Sequence, residues 1–453
     1  MKIKSYLNNA PQIWLVIYAA SAAFITYFSM YAFRKPFTVG TYENVDGWHS
    51  QLDFKIALIL AQVLGYALSK FIGIKIISEM EAGKRAVAIL SLVMAAEIAL
   101  ILFPILPGYW KLLALFLNGL PLGMIWGLVF SFLEGRRTTE ILGAVLSVSF
   151  IVSSGVVKSV GKYLMLDWGI NEFWMPAVTG LLFAIPLFLS VYFLAQVPPP
   201  SEQDIQARRK REPMSAQDRR DLLLRFAPGL AAMICAYVLL TGLRDYSDNF
   251  AAEIWSSLGY GSAPGIFSIA AIYTSLIILF MLSLVMLVKD NLRALMLNHI
   301  IVIVGFIVVG VSSLLYQTNI ISGSTWMVSL STGVYLSYIP FNCLIFDRML
   351  AVANNKANAG FLIYIADSMG YAGSVGILLY KNFAQVQLSW TNFLVQSSYI
   401  IAVLGVALIL YSAYYFRQTL KESASNSHCS SAEKIHNSIN QVDKPRSTIS
   451  TTS

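Results

Sequence analysis

Charge is scarce in this chain: Asp, Glu, Lys and Arg make up 12% of its 453 residues, against 57% hydrophobic. Soluble domains carry about 25% charged residues, so a water-facing surface over most of the length is excluded. Three cysteines are too few for a disulfide framework. There is no paired-cysteine or histidine-rich metal cluster, so no metal or cofactor is expected. There is no phosphate-cradling glycine loop and no nucleophile beside a base, which argues against an enzyme. Acidic residues are fewer than basic ones, 24 against 32, for a net charge of +8.

Apolar runs of membrane-crossing length fill the rest. A bilayer core of about 30 Å needs about 20 helical residues. Twelve such segments can be placed, at 12–42, 53–78, 85–104, 110–133, 140–163, 174–196, 222–250, 264–288, 293–316, 325–346, 357–380 and 390–416. Lysine and arginine concentrate in alternate loops, among them Lys84, Arg85, Arg136, Arg137, Arg208 to Arg211, Lys289, Arg293, Arg348 and Lys356. By the positive-inside rule both termini are cytoplasmic and the positive charge is topological, with no nucleic-acid partner implied. Lys2 and Lys4 precede a long first apolar segment without a small-residue cleavage site, read as an uncleaved span. An all-α membrane protein, monomeric in the bilayer of the cell membrane, is the expectation.

Between the sixth and seventh spans a proline- and charge-rich stretch divides the chain. The expected organisation is a six-helix half at 1–197, a cytoplasmic linker at 198–221, a second six-helix half at 222–416 and a disordered polar tail at 417–453. The halves read as distant parallel repeats. Arg34 and Arg244 are 210 residues apart, Gly119 and Gly333 214, Glu134 and Asp347 213, Gly143 and Gly360 217. Small residues at four-residue spacing, as in Gly65, Ser69 and Gly73 or Gly119, Gly123 and Gly127, mark close helix crossings.

An arginine inside a bilayer costs about 2.5–3.5 kcal/mol on insertion scales, so Arg34 and Arg244, at matching places in the halves, are the leading site candidates. Their planar forks suit bidentate capture of phosphate or carboxylate. The bland alternative is that both snorkel to headgroups. Lys35, Asp245 and Asp248 stand beside them, and a Lys35–Asp248 bridge between halves is one possible gate. Lys158 in the fifth span adds positive potential or snorkels. Glu97 and Asp367 are mid-span carboxylates suited to carrying protons. His299 reads as a packed polar residue. Tyrosines 27, 31, 66, 273, 335, 338, 364 and 371 could orient a polar solute, with most expected to be packing residues.

Twelve spans in two halves resemble the major facilitator superfamily. More narrowly, Tyr-x-x-Arg-Lys-x-Phe at Tyr31 to Phe37, the stretch Tyr66 to Ile72 with Lys70, Gly123 to Trp126 and Gly370 to Ser374 are similar to the organophosphate:phosphate antiporters, which include glycerol-3-phosphate and hexose-phosphate carriers. The resemblance implies twelve helices in two pseudo-symmetric halves. It also implies that Arg34 and Arg244 hold the substrate anion, with Lys70 nearby and Tyr31, Tyr66 and Trp126 on the cavity wall. Two features depart from the pattern. Ser147 to Ser154 lacks the fifth-span histidine of the phosphate carriers, and Glu79 to Arg85 replaces their loop signature after the second span. The expectation is an alternating-access carrier of a small organic anion, such as a phosphate ester, clamped by the two arginines. The alternatives are a proton-coupled symporter using Glu97 and Asp367, and a transporter-like sensor that binds without turnover.

Overall fold

The computed structural model describes residues 2–43, 45–202, 204, 216–353, 359–385 and 387–442. Regular structure among these residues is entirely helical. Eleven helices are long and apolar enough to cross a membrane, and a pair bent by 43° makes a twelfth. The spans are α1 (Gln12–Tyr31), α2 (Phe54–Glu79), α3 (Arg85–Ile105), α4 (Trp110–Leu122 with Ile125–Leu133), α5 (Thr139–Leu166) and α6 (Met175–Ala195), then α7 (Ala227–Asn249), α8 (Ile266–Met286), α9 (Asn291–Gln317), α10 (Gly323–Cys343 with Ile345–Val352), α11 (Ala359–Phe383) and α12 (Trp390–Val442). In hydrocarbon the backbone must satisfy itself, and uninterrupted apolar runs do so as helices. Side-chain caps start α9 and α10, where Asp290 accepts from the Arg293 amide and Ser322 from the Thr325 amide.

Helix packing repeats with a shift of six. In the first half α1 packs on α5 and α6, α2 on α4, and α3 on α4 and α6; in the second, α7 packs on α11 and α12, α8 on α10, and α9 on α10 and α12. The halves meet through α5 against α8 and α2 against α11. The small-residue spacing marks real crossings. A Cβ at Gly119 would strike the Gln62 carbonyl, one at Gly65 the Phe116 carbonyl, and one at Gly155 the Phe267 carbonyl across the half interface.

Several boundaries differ from the sequence expectation. The first span ends at Tyr31 rather than 42, because Pro36 removes an amide and opposes helix at the residue before it. Ala32 to Lys35 form a turn, followed by a 3₁₀ segment, Pro36–Val39. The fourth and tenth spans are broken, after Pro121 and after Pro340. Part of the expected linker, with Arg208 to Arg211, lies outside the described residues, as does Lys356. A helix, Ala216–Arg225, overlaps the expected boundary at 222 and is separated from α7 by Phe226. The final helix runs past residue 416 to Val442, its apolar crossing segment ending at Thr419.

The face bearing the loops 40–53, 167–174 and 250–265 is called distal here, opposite the N-terminal helix Lys2–Asn9. Cross-half contacts close it. Lys55 of α2 is ion-paired with Glu253 and donates to the Thr38 carbonyl at 2.7 Å. The Asp53 amide donates to Asn382 at 3.0 Å, and the Ser268 hydroxyl to Ser159 at 2.6 Å.

Candidate functional site

The turn after α1 delivers Arg34 and Lys35 to a cavity of about 110 Å³ between the halves. The wall comes from α1 with its turn (Tyr27, Tyr31, Arg34, Lys35), α2 (Tyr66, Lys70), α4 (Trp126) and α5 (Ser147, Phe150, Ser154) on one side. The other side is α7 (Arg244, Asp245, Asp248), α10 (Tyr335, Tyr338, Asn342) and α11 (Ile363, Asp367, Tyr371). Every substrate-site candidate except Lys158 lines it. Lys158 lines a neighbouring cavity of about 70 Å³ that shares Ser154, Asp248 and Tyr335 with the first.

The two arginines are held differently. Arg244 gives Nε and Nη2 to Asp245 Oδ1, at 3.0 and 2.6 Å, while Ser374 donates to the other carboxylate oxygen. Its guanidinium carbon lies 4.0 Å from the centre of the Tyr338 ring. The Arg34 guanidinium carbon stands 3.9 Å from the centre of the Tyr66 ring and 5.9 Å from that of Tyr31, a cation–π setting. Among the described residues no carboxylate forms an ion pair with Arg34, and its Nε is buried with no hydrogen-bond partner.

The remaining charges form two bridges between halves. Asp248 binds Lys35 through one oxygen and Lys158 through the other, the latter at 2.5 Å, and Ser154 donates to it at 2.7 Å. Lys35 also donates to Asn249 at 2.9 Å. Lys70 pairs with Asp367 at 2.5 Å, and the Tyr237 hydroxyl donates to the second oxygen of that carboxylate. Five cations (Arg34, Lys35, Lys70, Lys158, Arg244) thus face three carboxylates (Asp245, Asp248, Asp367), leaving two positive charges in excess.

Glu97 does not join this group. It is buried in α3 with both carboxyl oxygens unpartnered, under Gly180, where a Cβ would collide with it. His299 is a packed residue, one ring nitrogen 2.8 Å from the Leu295 carbonyl and the other 3.2 Å from the Ser412 hydroxyl. Six of the eight candidate tyrosines line the cavity, more than the packing expectation allowed; Tyr273 faces outward and Tyr364 packs edge-to-face with Phe71. Lys55, Glu253 and Tyr237 were not singled out from sequence. Lys55 could have been, as a lysine at the start of an apolar span.

Residues 36–419 match the model of a family described as a family of unknown function (DUF5690), and the chain belongs to that family. No curated protein is significantly similar to it in sequence. Solved structures are similar in shape. A D-xylose–proton symporter matches over 89% of this chain and 97% of its own at 14% identity, with a TM-score of 0.58. A mutant of the nucleoside transporter NupG matches over 89% and 99% at 14% identity, with a TM-score of 0.55. The fold is the major facilitator fold, in an integral membrane protein.

Proposed function

We propose that this protein is a secondary transporter that works by alternating access and carries a small organic anion, with Arg34 as the anion's anchor. One observation carries the reading: among the described residues Arg34 is the cavity cation without a carboxylate partner, in a site with two positive charges in excess. An unpaired guanidinium in a membrane-enclosed cavity is costly, and an anion received by its fork offsets that cost. Arg244 joins the anion by sharing its fork with Asp245 or exchanging it, so the two-arginine clamp forms on binding. A ligand that gains contacts from both halves favours the state in which they approach, the coupling an exchanger requires.

Both termini are assigned to the cytoplasm by the basic loops, which makes the distal face external. The fold neighbours' titles name a sugar–proton symporter and a nucleoside transporter. A phosphate ester or carboxylate is the class we assign to this chain, taken up by a monomer in the cell membrane. The experiment is anion flux into proteoliposomes holding the wild type or Arg34→Lys. Wild-type flux that Arg34→Lys abolishes supports the reading; equal flux in both refutes it. Binding without flux in the wild type identifies a sensor.

A second reading rests on Asp367, a cavity carboxylate that pairs with Lys70 across the halves and accepts from Tyr237 within its own half. Protonating it releases Lys70, which links a proton to opening of that bridge. Glu97, closed off from the cavity, takes no part in this version.

A further inference from the structure

The anchor has a mounting of its own. Because α1 ends at Tyr31 and Pro36 has no amide hydrogen, carbonyls in the turn from Ala32 to Lys35 lie outside a helical ladder. Two side-chain amides take them. Asn118 of α4 donates to the Phe33 carbonyl at 2.8 Å, and Gln62 of α2 donates to the Arg34 carbonyl at 3.0 Å. The pair is tied together, since Gln62 also donates to the Asn118 side-chain oxygen at 2.7 Å and Asn118 to the Ala96 carbonyl of α3 at 3.1 Å. Gln62 is 4% exposed and Asn118 0%. The clasp depends on the tight α2–α4 crossing, where Gly119 leaves no Cβ to press on the Gln62 carbonyl.

The clasp also explains why the two arginines differ. Arg244 sits inside a continuous helix and is oriented by a carboxylate, which neutralises it. Arg34 sits on a turn, and a carboxylate there would consume the charge the site needs. Holding the backbone carbonyls fixes the residue and leaves the guanidinium unpaired. Gln62 and Tyr66 are one helical turn apart on α2, so the same face supplies the backbone anchor and the ring beneath the guanidinium.

We propose that Gln62 and Asn118 are positioning residues that set the place of Arg34 in the cavity; their part in ligand binding rests on the anion reading above. The test uses the full-length protein in nanodiscs, with Gln62→Met, Asn118→Leu, the double variant and Arg34→Lys. Hydrogen exchange is followed at the Phe33, Arg34, Lys35 and Thr38 amides, which donate to the carbonyls of Met30, Tyr31, Tyr31 and Lys35, and across Ala227–Asn249 as an internal control. Inorganic phosphate binding is followed by thermal shift.

Each single variant is expected to speed exchange in the turn about tenfold, the scale of one lost hydrogen bond, with the control segment unchanged. The double variant is expected to add little, because the two amides act as one clasp. Phosphate affinity, where the wild type shows it, falls about tenfold alongside, by the same hydrogen-bond scale. Wild-type exchange in the turn of a folded Asn118→Leu overturns the proposal. If that variant does not fold, Gln62→Met, which removes fewer bonds, decides on the same readout. Faster turn exchange in the clasp variants, with phosphate binding equal in wild type and Arg34→Lys, supports the positioning role and refutes the anion reading.

Discussion

Asp248 is the counter-charge for two lysines from the opposite half, and Asp248→Asn removes it from both at once. The side chains of Lys35, Lys158 and Asp248 are 9%, 4% and 17% exposed. Breaking a buried pair by deleting one partner costs about 3–5 kcal/mol, and the partial exposure of Asp248 places this case near the lower end. The cost falls on the form closed at the distal face, since separated halves return the lysines to water. A shift of about 3 kcal/mol is about 100-fold in population, enough to make the distally open form dominant unless closure is favoured by more than that. Lys35→Met or Lys158→Met alone leaves a one-to-one pair and is expected to shift the balance far less. Spin labels at Trp168→Cys and Ser262→Cys, on the exposed distal loops of the two halves, report the opening once Cys235, Cys343 and Cys429 are replaced. Asp248→Asn is expected to move most of the distance distribution to longer separations, with either lysine variant near wild type. An unchanged distribution in a folded Asp248→Asn refutes the latch.

Three further outcomes follow from the packing and the charges. Gly119→Val forces a side chain onto the Gln62 carbonyl and is expected to destabilise by about 1–3 kcal/mol, seen as a lower Tm. Glu97→Met replaces a buried carboxyl whose oxygens have no partner and is expected to raise stability by about 1 kcal/mol while leaving flux intact; lost flux in a folded variant would place Glu97 in the coupling path. Asp367→Asn strands Lys70 and is expected to lower Tm, and Lys70→Met in the same chain to recover most of the loss, as a double-mutant cycle would register. If the proton-coupled reading is right, Asp367→Asn also removes the dependence of flux on the pH gradient.

Much of this was legible before any coordinates. The apolar runs and their separation by basic loops give the spans, and the cost of arginine in hydrocarbon singles out Arg34 and Arg244. The Lys35–Asp248 contact was within reach because both residues flank those arginines. What could not be read depends on distance in sequence. Lys70 reads as an accessory cation, while its partner Asp367 is 297 residues away and no spacing rule joins them. Hydropathy reads straight through Pro36, so the turn that carries Arg34, and the role of Gln62 and Asn118 in holding it, were hidden inside an apparent helix. The unequal state of the two arginines was also hidden, because Asp245 beside Arg244 could have pointed elsewhere. Glu97 reads as a mid-span carboxylate like Asp367; only the packing separates a residue buried beside Gly180, away from the cavity lining, from one on the cavity wall.

The central claim is that the unpaired fork of Arg34 receives an anion. The most direct measurement is ligand-induced thermal stabilisation of the wild type, Arg34→Lys and Arg244→Lys across phosphate esters, carboxylates and neutral sugars. Stabilisation at a ligand concentration 100 times Kd is worth about 2.7 kcal/mol, a readily seen shift in Tm. The account predicts a response to at least one anion, none to neutral sugars, abolition in Arg34→Lys and a smaller loss in Arg244→Lys, whose fork is already shared with Asp245. Stabilisation by a neutral sugar that survives Arg34→Lys would contradict it.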